Sequence, residues 1–321
     1  MHIFARPLTS WFWLAFFLPF LFTSQRSSAA SPAPQDQESA SSFTFLQSRA
    51  ASGDPVAQYK LGYFFFHDTH PGPDYASAFT WLHSSASQHF APAQFLLGYL
   101  YEHGQGVPKD YAKAAEHYRA AALQGHPPAE NNLAALYQYG NGVPKDMGLA
   151  FEWYLASAQH GNPAGQYNLA SLYYLGYATT RNVTQAAQWF RAAADQGFAP
   201  AQANLAFLYF KGIGVPIDYS AAAHWARLAA EQGHPHAATN FAYLCENGKG
   251  VPLDYFAAYI WYSRAIAAGD KSGADRRKSL SRLLTREQID EANSLVAANS
   301  SQPQQVPSSA AIADFTLLQD H

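Results

Sequence analysis

Apolar positions recur with helical spacing through most of the chain. In residues 91–103, Ala93, Leu97, Leu100 and Tyr101 fall at i, i+4, i+7 and i+8, one face of a helix. The face itself then recurs every 36 residues. Leu61, Leu97, Leu133, Leu169, Leu205 and Phe241 share one register, and the position after each is small: Gly62, Gly98, Ala134, Ala170, Ala206, Ala242. A second row holds only alanine (Ala78, Ala114, Ala150, Ala186, Ala222, Ala258). A third holds Trp81, Trp153, Trp189, Trp225 and Trp261, with His117 among them. Gly53, Gly125, Gly161, Gly197, Gly233 and Gly269 close each period, and His89 takes the missing slot.

Each period predicts two helices. The first starts near a proline (Pro55, Pro92, Pro127, Pro163, Pro200, Pro235), which the first helical turn accepts because its N–H lacks a partner anyway. It ends at loops such as Gly104-Gln-Gly106-Val107-Pro108 and Gly248-Lys-Gly250-Val251-Pro252. There glycine permits positive φ and proline stops the helix. Asp74, Asp110, Asp146, Asn182, Asp218 and Asp254 stand where a side-chain oxygen caps the second helix. The first loop (His67 to Asp74) and the fourth (Gly176 to Asn182) depart from the pattern.

One such helix pair cannot bury its tryptophans and tyrosines, whereas stacked pairs can. The expected fold is all-α, an α/α solenoid wound as a right-handed superhelix, with repeats at 53–88, 89–124, 125–160, 161–196, 197–232 and 233–270. Residues 42–52 match the second-helix register and predict a half-repeat helix. Residues 271–298 predict capping helices, the last opened by the capping box Thr285-Arg-Glu-Gln288. Residues 31–41 and 299–321, rich in Pro, Ser and Gln, read as a flexible linker and a disordered tail.

Residues 1–30 read as a signal peptide: Arg6, an apolar run from Trp11 to Phe22, and small residues at Ser28-Ala29-Ala30. The run is too short for a membrane-spanning helix, which needs about 17–25 residues. An uncleaved anchor is the other reading. The chain is 48% hydrophobic and 13% charged with net charge −3, and removing residues 1–30 leaves −5. That balance excludes the basic face nucleic acid demands. The signal peptide implies an exported protein, periplasmic or secreted, or in the endoplasmic-reticulum lumen if eukaryotic, with no stable membrane span after cleavage. Cys245 stands alone in the sequence, which excludes an intrachain disulfide framework.

The segment Asn168-Leu169-Ala-Ser-Leu172-Tyr173, the Gly-x-Gly-Val-Pro-x-Asp loops and Trp189-Phe190-Arg-Ala-Ala-Ala-Asp-Gln-Gly197 resemble Sel-1-like repeats, within the tetratricopeptide-like superfamily. The resemblance covers roughly residues 42–270. It implies a non-catalytic adaptor: exported in bacteria, or serving secretory-pathway quality control in eukaryotes. A cysteine-rich branch of the family is linked to β-lactam binding. The single cysteine excludes that branch's disulfides, and no Ser-x-x-Lys, Ser-Asp-Asn or Lys-Thr-Gly motif is present.

The candidate partner-binding residues form a polar row with aromatic walls. Asn132, Asn168, Asn204 and Asn240 each precede the core Leu or Phe of a first helix, an unfavourable mid-helix place for asparagine. In tetratricopeptide-like folds this side lines the concave groove, where amides can hold an extended peptide backbone. Tyr59, Phe95 and Tyr167, with Tyr63, Tyr99, Phe207 and Tyr243, would supply the walls. The same asparagines can instead bond neighbouring helices, with the aromatics as core. The partner is then a protein or peptide, or a cell-envelope polymer.

Other chemistry finds no constellation. Thirteen histidines lack zinc-site spacing, so no metal or cofactor is expected. The glycine loops carry a proline where a phosphate nest needs an N–H. No nucleophile has an oriented base. The competing readings are a β-lactam-binding or hydrolase-type enzyme and an endoplasmic-reticulum quality-control adaptor.

Overall fold

A computed structural model describes residues 34–67 and 72–300. The expected signal peptide and most of the expected tail lie outside the described residues, as does part of the first loop. Among the described residues all regular structure is helical. Helix α1 spans Pro34–Ala51, and α2 (Pro55–His67) with α3 (Tyr75–Ala86) makes the first hairpin. The second is α4 (Ala91–His103) with α5 (Tyr111–Ala122), followed by α6 (Pro127–Tyr139) and α7 (Met147–Gln159). Then come α8 (Pro163–Leu175), α9 (Val183–Asp195), α10 (Ala199–Lys211), α11 (Tyr219–Glu231), α12 (Pro235–Asn247) and α13 (Tyr255–Ala267). Helices α14 (Ala274–Leu280) and α15 (Arg286–Ser300) follow.

The chain divides into two compact units at Ala150 and Phe151, inside α7. In the first, α1 packs on α2, each hairpin closes on itself, and α3 packs on α4 and α5 on α6. In the second, α8 to α13 repeat that pattern, and α14 and α15 both cover α13. Each unit is therefore a stack of helical hairpins, the all-α solenoid the periodicity predicts. Helix α1 begins at Pro34, inside the segment read as a linker. After Pro34 no glycine or proline interrupts the chain until Gly53, and proline at a first helical position costs nothing.

The local signals hold. Asp74, Asp110, Asn182, Asp218 and Asp254 accept from the backbone N–H three residues on, at 2.9–3.0 Å. Gly104, Gly140, Gly176, Gly212 and Gly248 end their helices in the left-handed conformation. Thr285 and Gln288 form the capping box in both directions. The alanine row from Ala78 to Ala258 is fully buried, and Leu61 to Leu205 are at most 1% exposed. Each buried leucine contributes about 1.5–3 kcal/mol relative to an exposed one. Trp225 is buried, and Trp81, Trp153, Trp189 and Trp261 are half-buried.

Candidate functional site

The first helices carry the predicted residues, and the structure sorts them by depth. Asn132, Asn168, Asn204 and Asn240 are 6%, 2%, 1% and 1% exposed. Asn204 donates from Nδ2 to the Tyr167 hydroxyl at 3.4 Å, and Asn131 donates to Asn132 Oδ1 at 3.2 Å. The amides thus lie beneath the surface. Phe95, Tyr167 and Tyr243 are buried with them. The Phe95 ring meets Tyr118 and His126, while Tyr167 meets Phe190 and Phe198. Tyr59, Tyr63, Tyr99 and Phe207 are half-buried and form the accessible part of the set. In the first unit Tyr59 packs on Tyr63 with centroids 6.1 Å apart, and Tyr99 stacks on His103 at 3.9 Å.

A second row of amides, which the sequence reading did not single out, binds hairpin to hairpin. Gln58, Gln94, Gln166 and Gln202 donate to the carbonyls of Ala50, Ala86, Ala158 and Ala194 at 3.1–3.4 Å. Their Oε1 atoms accept from Gln88, Gln124, Gln196 and Gln232 at 2.7–2.8 Å. Both glutamine rows recur at 36 residues, and that recurrence was the available signal.

Buried ionisable groups gather where a second helix meets the end of a first one. Tyr118 donates to Glu102 at 2.6 Å, and Tyr262 donates to Glu246 at 2.8 Å. Burial pushes the Glu102 carboxyl up, against the hydrogen bond from Tyr118. Burial also pushes the Cys245 thiol up to about 11. Burial opposes the Asp270 charge, yet hydrogen bonds from His236, Ser272 and Thr239 hold its carboxyl well below the usual range. Asp270 thereby ties α12 to the segment entering α14. Among the described residues no three His, Cys, Asp or Glu side chains converge as metal ligands. No described helix is long and apolar enough to cross a membrane.

A family model described as Sel1 repeat matches residues 55–90, 91–126, 127–162, 163–198, 199–234 and 235–270. The chain belongs to the Sel1 repeat family. Each matched Sel1 repeat begins at the first turn of a first helix, two residues after the glycine register that opens the sequence period. Among solved structures, a protective antigen present in uropathogenic Escherichia coli strains is 30% identical with a TM-score of 0.71. The match covers 80% of this chain and 56% of the antigen's. A Sel1 repeat protein from Oxalobacter formigenes is also 30% identical, with a TM-score of 0.67 over 74% of this chain and 69% of its own. No curated protein matches the chain. Sel1 repeats generally mediate protein–protein interaction, and Sel1 scaffolds are generally non-enzymatic.

Proposed function

We propose that this protein is an exported, non-catalytic scaffold that holds a polypeptide along the exposed side of its first helices. The observation that carries the reading is the sorting by depth. Tyr63 and Tyr99 in the first unit, and Phe207 in the second, remain half-exposed. Asn132, Asn168 and Asn204, in the register three residues earlier, are buried supports. Partly exposed aromatics give large contact area at low entropy cost, as interface anchors do. A half-exposed ring held by a buried hydrogen-bonded helix is also pre-organised, which lowers the cost of binding.

Export is supported by the charged start, apolar run and small residues within residues 1–30. Fractionation with mass spectrometry of the mature N-terminus tests it, and a chain retaining Met1 in the cytoplasmic fraction ends that part of the reading. Partner binding is tested by placing a photo-crosslinking residue at Tyr99 or Phe207. A crosslink to a polypeptide from position 99 that is lost on Tyr63→Ala, with the helical circular dichroism retained, is the expected result, and a crosslink from position 207 is the corresponding observation in the second unit. Turnover of a chromogenic β-lactam by the purified chain would favour the enzymatic alternative.

A further inference from the structure

The two units contain the same aromatic cluster four periods apart, and one of them shows what it holds. In the second unit Phe210 packs on Tyr219 and Tyr243, with centroids 5.4 and 5.9 Å away. Lys249, from the loop after α12, places its ammonium 5.2, 5.5 and 5.2 Å from the Phe210, Tyr219 and Tyr243 rings. It also donates to the Tyr243 hydroxyl at 3.3 Å. Beside it Arg276 lies 4.9 Å from the Tyr243 ring and 3.1 Å from Glu246. Three ring faces and a carboxylate thus surround cations supplied by the chain itself.

In the first unit Phe66 packs on Tyr75 and Tyr99, with centroids 5.6 and 5.5 Å away. The loop after α4 seats Gly106 against the Tyr75 backbone, as Gly250 is seated against Tyr219, so loop positions correspond. Gln105 stands in the register of Lys249, Glu102 in that of Glu246, and Asn132 in that of Arg276. Lys249 and Arg276 are thus replaced by neutral amides while the rings and the carboxyl group are kept, and Lys211, 5.4 Å from the Phe210 ring, is replaced by His67, whose ring packs on Phe66. Two acceptors, Gln105 Oε1 and His103 Nε2, are buried without a hydrogen-bond partner, as is one donor, Asn132 Nδ2. His103 Nδ1 lies 2.9 Å from the Tyr99 carbonyl, which places the proton of the neutral ring on Nδ1 and leaves Nε2 as an acceptor.

We propose that Phe66, Tyr75 and Tyr99, with the acceptors of Glu102, His103 and Gln105, form a site for the ammonium group of a partner's lysine. The site takes an alkylammonium because the second unit already holds one in the same frame. It accounts for the exchange of Lys249 for glutamine: an amide oxygen accepts from a guest ammonium, where a lysine would exclude it. The inference rests on the reading that this chain binds a polypeptide, and it adds the side chain recognised.

The test uses the full chain carrying 3-fluorotyrosine, with the Tyr75 and Tyr99 fluorine resonances followed by NMR. Nα-acetyl-lysine N-methylamide is the probe, with its Nε-acetylated form and n-butylamine as comparisons. The expected result is a saturable shift of both resonances, with affinity about tenfold weaker for the Nε-acetylated form. Gln105→Lys, which restores the residue type of the second unit, should abolish the response and leave the helical circular dichroism intact. Equal responses to both lysine probes, no response to either, or an unchanged response in Gln105→Lys would each overturn the proposal. Tighter binding of n-butylamine than of the lysine amide would overturn the assignment to a polypeptide. The probe is a single residue, so loss of this site and loss of partner crosslinking at Phe207 are read separately.

Discussion

The imidazole of His126 packs against the ring of Phe95, with centroids 5.0 Å apart and planes at 33°. Its Nδ1 is buried without a hydrogen-bond partner. Burial lowers its pKa to about 4. An unfolded histidine titrates near 6.5, so between those values the unfolded chain binds more protons and stability rises with pH.

Stability should therefore fall as pH drops from about 6.5 towards 4, by up to about 3 kcal/mol from this residue. Urea unfolding of the wild type and of His126→Phe across that range checks it. The variant should lose part of the acid-side slope, and an unchanged slope would show that His126 is not its source.

Gln202 and Gln232 should be energetically coupled. Gln232 Nε2 donates to Gln202 Oε1 at 2.7 Å, and Gln202 is 3% exposed. Leucine at position 202 should cost about 1–2 kcal/mol, and a double-mutant cycle with Gln232→Leu should give a coupling of about 1 kcal/mol. Strict additivity would mean that the bond contributes nothing beyond packing.

Two glycines with positive φ should respond differently to alanine. Gly197 (φ 84°) has open space where a Cβ would go, so Gly197→Ala should cost about 1 kcal/mol in backbone strain. Gly250 (φ 74°) faces the Tyr219 carbonyl, so a Cβ there must also displace a neighbouring hairpin. Gly250→Ala should lower the melting temperature clearly more than Gly197→Ala.

Cys245 is 4% exposed with its thiol pushed up to about 11 by burial. The thiolate is the reactive form, so a thiol reagent at pH 8 should react with the native chain far more slowly than with the unfolded one. Rapid native labelling would mean that α12 opens readily.

The helical hairpins were legible because their determinants are local. A cap such as Asp110 and a stop such as Gly104 act on the next few residues, and the recurrence of Leu61 through Leu205 marks the buried face without reference to any partner helix. The helix from Pro34 was missed because Ser and Gln suit a linker and a helix equally well. The glutamine rows escaped for a related reason: Gln94 and Gln124 are thirty residues apart, and nothing in a polar amide says whether it meets water or another amide. Sequence placed Asn168 and Tyr99 in rows one turn apart, yet only packing buried the first and left the second within reach.

By itself, then, the chain determined its period, its helix ends and its repeating core, since those follow from backbone preference and helical geometry. Tertiary structure decided which polar side chains pair between the helices of a hairpin, which aromatics stay accessible, and that Phe66, Tyr75 and Tyr99 repeat the cluster around Lys249. Those outcomes depend on distances between residues far apart in sequence, and such distances exist only once the hairpins have stacked.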